Sequence, residues 1–457
     1  MPFRPFRQSR LKFPIRVTRP QSSVAKSLSL EVPIEEERLP FYKWKDYYHP
    51  NPGDVLNKRY KLKVKLGWGT SSTVWLAQDI GFCNRTTGPE SVAIKISTNN
   101  VEDEDAHHEL DISTRIARTN PHHEGRSALL VADDHFTIDT ANGSHVCLVF
   151  EPMRESIWLF KRGFSKGNEL TPSIVPLFKT YLRIVLSGLD YLHSECKLIH
   201  TDLKLDNILM TFEDRPAIDR FIQAQTENPM ARKVFTDHTV YRSQRNFGDI
   251  KWPSGVRNMM PKLADFGVAQ RGDQPGRLIF PIQPNHCRAP EVLLGAGWSY
   301  SADIWNFGII VWDLLAGTEL FLDPKRTGIS YSAAHHLAEM IALLGPAPES
   351  LIQRARSLRR WRWHEEIQNP EGKLCKNVAE FFGGPFYSSD AGEFLHDSLI
   401  PSQRVWVDEV PKCILDEDKT RFLRFIRRML CWDPDARPTA KELVHDPWLD
   451  VKVRPDD

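Results

Sequence analysis

Residues 200–207 read HTDLKLDN and follow directly on an apolar stretch that ends LDYLHSECKLI. The preceding run, TPSIVPLFKTYLRIVLSGLDYLHSECK, has apolar residues at helical intervals, which predicts a long helix with one buried face. The sequence thus places several reactive side chains in a loop at a helix end: His200, Asp202, Lys204 and Asn207. We expect His193, within the helix, to be a packed or hydrogen-bonded structural histidine rather than a ligand.

A second polar loop, KLADFGVAQ at residues 262–270, supplies the other half of the predicted chemistry, because Asp265 follows a strand-like run there. If the two loops face each other, Asn207 and Asp265 offer the hard oxygen ligands of a magnesium ion that is shared with phosphate groups. Asp202 can accept the proton of an attacking hydroxyl group. Lys204 can neutralise charge that grows on a transferred phosphoryl group.

Upstream, RYKLKVKLGWGTSSTVWLAQD alternates apolar and polar residues on both sides of a glycine-bearing turn, which predicts a hairpin whose backbone can approach phosphate. Taken alone, such a turn is more often a plain hairpin. In the next predicted strand, ESVAIKIS, Lys95 stands among apolar residues and needs an anionic partner. Glu109, on the predicted helix that follows, can supply one. Taken singly, the two residues fit equally well a lysine that reaches solvent and a surface glutamate.

In this order the motifs resemble those of eukaryotic protein kinases, from about Tyr60 to about Leu449: G-W-G-T-S-S-T-V, V-A-I-K, H-T-D-L-K-L-D-N, D-F-G and R-A-P-E. The resemblance implies an α+β fold of two lobes, with a small antiparallel β-sheet lobe that has one main helix and a larger, mainly helical lobe. It implies that ATP and Mg²⁺ bind between the lobes. The implied catalytic residues are Asp202, Lys204, Lys95 and Glu109, with Asn207 and Asp265 on the metal. The implied nucleotide-binding residues are Leu66, Gly67, Trp68, Gly69, Val74, Ala93, Lys95, Phe150, Glu151 and Met153.

The same resemblance implies two further contacts in the larger lobe. Glu291 of R-A-P-E would form a buried ion pair with Arg437, and Asp303 would bind the backbone of the catalytic loop. Taken alone, each is better explained as a surface carboxylate or a helix cap.

Composition and charge set the expected domain boundaries. With 457 residues, 41% hydrophobic and 26% charged, the chain has the composition of a soluble globular protein. Seven basic residues precede the first acid, Glu31, so we expect residues 1–40 to be a basic, disordered leader. The small lobe is then 41–153 and the large lobe 154–450, with an insert at about 211–258 and a tail at 451–457. We expect a cytoplasmic and nuclear protein, with a mitochondrial transit peptide as the alternative reading of the leader.

Several partner classes are not indicated. The seven cysteines never form a C-x-x-C pair, so neither a disulfide framework nor a zinc site is suggested. No apolar run approaches the ~20 residues of a membrane helix. We expect protein substrates, no membrane, no direct nucleic-acid contact, and a monomer. The basic run RARSLRRWRW at 354–363 fits a solvated helix face, and its alternative is a patch for an acidic partner or nucleic acid.

Finer features resemble the SR-protein kinases, which phosphorylate serines in arginine/serine-rich splicing factors. They are GWG-x-x-STVWLA, HTD in place of the common HRD, HHLAEMIALLGPAP, and an insertion after NILM that could also be an ordered loop without a regulatory role. Lys204 in HTDLKLDN implies a serine/threonine rather than a tyrosine kinase. Thr201 cannot bind a phosphate as the HRD arginine does, and residues 268–290 contain no Ser, Thr or Tyr. We therefore predict activity that is independent of activation-loop phosphorylation.

Three residues depart from the kinase pattern. Ser72 replaces the third loop glycine, Leu205 replaces a common proline, and Pro284 stands where a threonine commonly supports Asp202 and Lys204. These departures leave two alternatives open. One is a non-catalytic pseudokinase that acts as a scaffold, and the other is a small-molecule phosphotransferase.

Overall fold

The computed structural model describes residues 25–84, 88–99, 103–250, 254–274, 276, 278–321, 331–390, 392–402 and 404–451. The first 24 residues of the expected leader and residues 452–457 of the expected tail lie outside this range. No helix in the described part of the chain is both long and apolar enough to cross a membrane.

The small lobe is one antiparallel sheet of six strands in the order β1-β2-β3-β4-β6-β5. Apolar side chains of β2 to β6 form its core, as the alternating pattern predicts. The sheet ends at Phe150, close to the expected boundary at residue 153. Its strands are β1 (Val55–Leu56), β2 (Tyr60–Trp68), β3 (Ser72–Asn84), β4 (Gly88–Ser97), β5 (Asp134–Thr140) and β6 (Gly143–Phe150).

The large lobe is mainly helical and has its own apolar core, in which the helix α6 (Ser301–Ala316) is buried on all sides. One main helix, α1 (Asp103–Arg118), precedes it and packs beside the sheet. The predicted long helix is α3, which continues as a π-helical turn, Tyr191–Cys196. The remaining helices are α2 (Ile157–Phe160), α3 (Val175–Asp190), α4 (Arg215–Glu227), α5 (Pro290–Leu294), α6 (Ser301–Ala316), α7 (Ala333–Leu344), α8 (Glu349–Leu358), α9 (Val378–Phe382), α10 (Asp416–Met429) and α11 (Ala440–Val444).

Pairs of very short antiparallel strands bring the polar loops together. The residues after HTDLKLDN pair with the residues before Asp265, and the residues before His200 pair with Gln270 and Arg271. The short strands are β7 (Ser165–Lys166), β8 (Glu169–Leu170), β9 (Leu198–Ile199), β10 (Ile208–Met210), β11 (Arg232–Val234), β12 (Thr239–Tyr241), β13 (Pro261–Leu263), β14 (Gln270–Arg271), β15 (Ile367–Gln368) and β16 (Leu374–Cys375).

The leader differs from the expected disorder over its described part, residues 25–40. Its backbone bonds to the insert, where the Leu28 N–H donates to the Arg232 carbonyl at 2.9 Å. Its buried Glu36 forms an ion pair with Lys65 of β2 at 2.5 Å. Composition alone could not reveal this, because the ordering comes from charge pairs with residues far away in the chain.

The insert is folded and lies against the small lobe. Its helix α4 buries Ile218 and Phe221 in the same apolar cluster as the sheet, together with Met230 and Tyr241. Both ends of the insert continue into the large lobe, through β10 and β13. The insert therefore connects the two lobes along one side of the molecule.

Candidate active site

All ten predicted nucleotide-binding residues line one cavity of about 410 Å³ between the lobes. Glu109, Asn207 and Asp265 line it as well. A second cavity of about 1040 Å³ shares Lys95, Glu109 and Asp265 with the first and adds Asp202 and Lys204. The two cavities together form one cleft, at which every predicted site residue lies.

Lys95 of β4 is held between two carboxylates. Its Nζ lies 2.7 Å from Oε2 of Glu109 on α1 and 3.0 Å from Oδ1 of Asp265. Burial alone would lower the pKa of Lys95, but the two carboxylates outweigh it and raise the pKa. Lys95 in turn lowers the pKa of Asp265 against the opposing effect of burial. Both groups are therefore charged near neutral pH, and the lysine can bind an anion.

The catalytic-loop side chains form a second cluster around Asp202. Nζ of Lys204 lies 2.6 Å from Oδ2 of Asp202, and the side-chain N–H₂ of Asn207 donates to the same carboxylate and to the Asp202 carbonyl, each at 2.9 Å. These bonds fix the orientation of the amide. Oδ1 of Asn207 has no donor among the described residues, nor does Oδ2 of Asp265.

A carboxylate oxygen and an amide oxygen without donors are the hard donors that Mg²⁺ takes alongside phosphate oxygens. The residues present therefore fit the magnesium ion that the sequence resemblance implies. Asp265 has a φ of 66°, which a residue other than glycine seldom adopts, so its surroundings hold its backbone in place.

A buried carboxylate of α6 fixes the backbone of the loop. Asp303 accepts hydrogen bonds from the N–H groups of His200 at 2.7 Å and Thr201 at 3.0 Å, and from the ring of His193 at 2.8 Å. Burial would raise the pKa of Asp303, but the bond with His193 and the nearby donors lower it. His193 is thus a hydrogen-bonded structural residue, as expected, and Asp303 contacts the loop as the resemblance implies.

The segment between Gly267 and Glu291, which is the activation loop that the resemblance implies, is held at both ends. Arg437 donates two hydrogen bonds to the carboxylate of Glu291, at 2.7 and 2.8 Å, and both side chains are fully buried. Arg288 donates to the Ile282 carbonyl at 3.0 Å and the Gln283 carbonyl at 2.8 Å. At the other end, Arg115 of α1 contacts Asp273 at 3.2 Å. The two ends of the segment are therefore anchored to the large lobe and to α1.

Sequence reasoning missed several residues around the cleft. Lys262 forms an ion pair with the side chain of Glu151, a residue for which the resemblance implied only backbone contacts with the nucleotide. Arg245 and Phe247 of the insert line the cavity of about 410 Å³. The motif order carried no signal for these two, because they come from an insertion that the kinase pattern does not include.

A two-lobed fold with this cleft defines a protein kinase. The model of the protein kinase domain matches residues 60–449, so the chain belongs to that family. A serine/threonine protein kinase of Aspergillus fumigatus is 35% identical over 429 residues, 92% of either chain. The serine/threonine-protein kinase SRPK of Physarum polycephalum is 32% identical over 430 residues, 91% of either chain. These relatives place the chain among serine/threonine kinases of the SR-protein kinase type.

The fold is also similar to a solved structure. The crystal structure of the PF14_0431 kinase domain aligns with a TM-score of 0.57 at 23% identity, covering 89% of this chain and 99% of that chain. At that level of identity the likeness shows the fold alone. It agrees with the two-lobed α+β architecture expected from the motifs.

Proposed function

We propose that this chain is a catalytically active kinase that transfers the terminal phosphoryl group of ATP to serine or threonine of protein substrates. The observation that carries the proposal is the cleft, where Asp202, Asn207 and Asp265 lie opposite the charged Lys95. A pseudokinase scaffold has no need of all four groups in this arrangement.

In this proposal each residue has one task in phosphoryl transfer. Lys95, positioned by Glu109, binds the nucleotide phosphates, and Asp202 orients the substrate hydroxyl and accepts its proton. Lys204 neutralises charge on the transferred group. Asn207 and Asp265 would hold Mg²⁺. When bound, the ion neutralises phosphate charge and orients the triphosphate for attack.

The decisive experiment measures ATP-dependent phosphorylation of a degenerate peptide library with and without Mg²⁺. Asp202→Asn serves as the control variant, since it should still bind ATP but transfer phosphate at least ~100-fold more slowly. Equal, low rates in wild type and variant would favour the pseudokinase. Phosphorylation of metabolites but not peptides would favour the small-molecule phosphotransferase.

For the substrate class we infer serines flanked by arginines. The support is the kinship with the kinase SRPK and the sequence features of that family. The library tests this directly, because it compares arginine-flanked serines with proline-directed ones. Equal phosphorylation of both would refute the substrate class and leave the kinase proposal intact.

We also propose that activity does not depend on activation-loop phosphorylation. Thr201 uses its hydroxyl to donate to the Val268 carbonyl at 2.7 Å, so it supports the segment without a phosphate. Gln283 supports the segment further, since its carbonyl and its side-chain oxygen accept bonds from Arg288 and from the Ala289 N–H at 2.8 Å. Phosphatase treatment should leave the rate unchanged, and a large loss would contradict the proposal.

For localisation we propose the cytoplasm and nucleus, where arginine/serine-rich substrates would be met. A fluorescent fusion of the full chain tests this. Uptake into mitochondria with cleavage of the basic leader would show the alternative to be correct.

A further inference from the structure

The turn of the glycine-rich hairpin, residues 69–71, is held by groups from outside the hairpin. Oη of Tyr47 lies 3.1 Å from the Gly69 carbonyl oxygen and 2.8 Å from that of Thr70. The N–H of Thr98 donates to the Ser71 carbonyl at 2.8 Å. Every carbonyl oxygen of the turn therefore has a donor within hydrogen-bond distance, and the single hydroxyl hydrogen of Tyr47 serves two of them.

Among the N–H groups of the same turn, that of Gly69 donates to the Ser72 carbonyl at 2.8 Å. Those of Thr70 and Ser71 donate no hydrogen bond within the described part of the chain, and both residues line the two cavities of the cleft. Free backbone N–H groups in a turn are the usual donors to phosphate oxygens. With the carbonyl groups engaged by Tyr47 and Thr98, the N–H groups of Thr70 and Ser71 remain available for a triphosphate.

Tyr47 can act in this way because its own position is fixed. Its side chain is buried, and its ring packs against Tyr42 at 5.3 Å between centroids. The two preceding residues are tied to the end of β4, where Asn99 donates from its side chain to the Lys45 carbonyl and from its backbone to the Asp46 carbonyl, each at 2.9 Å. The segment before the kinase motifs therefore places the hydroxyl at the turn.

The base of the hairpin is held by the insert. The Gln244 N–H donates to the Lys65 carbonyl at 2.9 Å, and Nε of Arg245 donates to the Leu66 carbonyl at 3.1 Å. The guanidinium group lies so close to Gly67 that a Cβ at that residue would stand 3.2 Å from Nη2 of Arg245. A glycine at residue 67 thus leaves room for Arg245 as well as for a nucleotide.

We propose that Tyr47 and Arg245 are positioning residues for the glycine-rich hairpin, and that together they set the affinity of the cleft for MgATP. The inference rests on the proposed function in that ATP is taken as the nucleotide. A hairpin held before the nucleotide arrives loses less conformational freedom on binding, and the affinity is correspondingly higher. Tyr47 acts at the turn, over the phosphates. Arg245 acts at the base, beside the part of the cavity lined by Leu66, Glu151 and Met153, which in this proposal holds the adenine.

The first test compares Tyr47→Phe with Tyr42→Phe in the full chain. The hydroxyl of Tyr42 is buried and has no hydrogen-bond partner among the residues that the structure describes, so its removal is a matched control. Tyr47→Phe should raise the Kd and KM for MgATP about two- to tenfold, the ratio that corresponds to one hydrogen bond, with kcat and the Kd for adenosine unchanged. Tyr42→Phe should match wild type in all four quantities.

The second test compares Arg245→Gln with Arg242→Gln, an exposed arginine of the same segment. Arg245→Gln should weaken adenosine and MgATP alike, by about two- to tenfold, because Leu66 and Arg245 line the cavity together. Arg242→Gln should weaken neither.

Titration calorimetry separates failure of this inference from failure of the proposed function. Unchanged MgATP affinity in both Tyr47→Phe and Arg245→Gln would overturn the inference while wild type still binds ATP. A lower melting temperature with an unchanged KM would show a merely structural role and would also overturn it. A wild-type protein that binds neither adenosine nor MgATP would overturn the proposed function, and the inference with it.

Discussion

His336 of α7 is fully buried, and neither of its ring nitrogens has a hydrogen-bond partner among the described residues. It packs beside the rings of Phe321 and Tyr331. Burial, together with the nearby Arg288 and His286, lowers the pKa of His336 from the ordinary 6.5 to about 3. The imidazole therefore stays neutral in the folded protein at pH values at which it is already charged in the unfolded chain.

This shift predicts a loss of stability in acid. Between pH 6.5 and pH 3 the unfolded chain binds the proton and the folded protein does not, so the free energy of unfolding falls as the pH falls. Between pH 8 and pH 5 wild type should lose about 2 kcal/mol more than His336→Leu. Urea unfolding at both pH values measures the difference. The exposed His364→Gln should behave like wild type, and an equal loss in His336→Leu would contradict the prediction.

At the residue scale, the predicted catalytic side chains lie where the motifs suggested. Short polar residues in loops beside buried strands seldom serve the fold alone, so their position indicates a functional site. Asp202, Asn207 and Asp265 are residues of this kind. Lys65 shows the limit of such reasoning. Alternation along β2 predicts an exposed lysine, but the strand register shifts near this residue and Lys65 is buried against Glu36.

At the element scale, α6 supports the catalytic loop through a single buried carboxylate. The N–H groups of His200 and Thr201 donate to different oxygens of Asp303, so Asp303→Asn would replace one of these two acceptors by an N–H₂ group that faces an N–H donor. We expect kcat to fall at least ~10-fold, because charge-assisted bonds to the loop are lost, with the Kd for MgATP within about twofold of wild type. Steady-state kinetics and titration calorimetry measure the two quantities. If the Kd for MgATP rose by the same factor as kcat fell, the loop and the cavity between the lobes would deform together.

The ion pair between Glu291 and Arg437 joins α5 to the segment before α11. Both side chains are fully buried, and Arg437 also lies over the ring of Trp305. Glu291→Gln would leave the guanidinium charge buried opposite a neutral group, so we expect the free energy of unfolding to fall by about 3 kcal/mol. Urea unfolding measures it.

The exposed pair of Arg183 and Asp450 provides the control for this measurement. Asp450→Asn should change the free energy of unfolding by less than about 1 kcal/mol, because solvent screens that pair. An equal effect of the two substitutions would mean that the buried pair contributes no more than a surface pair.

Sequence periodicity predicted elements better than their assembly. The strands of the small lobe and the helices α1, α3 and α7 follow from apolar spacing, since each buries one face locally. The insert was predicted only as an insertion. The spacing of apolar residues in its helix α4 predicts which face is buried, but not which lobe covers that face. Phe221 packs in the apolar cluster of the small lobe rather than in that of the larger one.

At the scale of the whole molecule, two segments outside the kinase motifs complete the small lobe. The leader and the insert contact each other through Lys233, whose Nζ lies 2.7 Å from Glu37, and both contact β2. Such contacts between segments about two hundred residues apart in the chain leave no periodic pattern in the sequence. This is why a leader expected to be disordered is, in its described part, a component of the fold.

The ion pair between Glu36 and Lys65 tests that conclusion. Each side chain is 2% exposed, so neither charge has access to solvent if the other is removed. Glu36→Gln should lower the free energy of unfolding by about 3 to 5 kcal/mol, because it leaves the Lys65 ammonium group buried without a counter-charge. The double variant Glu36→Leu with Lys65→Met should lie close to wild type, since two apolar groups of similar size remove both charges.

Urea unfolding of the full chain separates this prediction from a general effect of removing charge. Glu169→Gln, which breaks the exposed pair with Lys412, should change the free energy of unfolding by less than about 1 kcal/mol. If the leader only lay on the surface, the ammonium group of Lys65 would become exposed to solvent when Glu36 is neutralised. Glu36→Gln would then change the free energy of unfolding as little as Glu169→Gln. A large effect of the single variant with rescue in the double variant requires the leader to be an integral part of the small lobe.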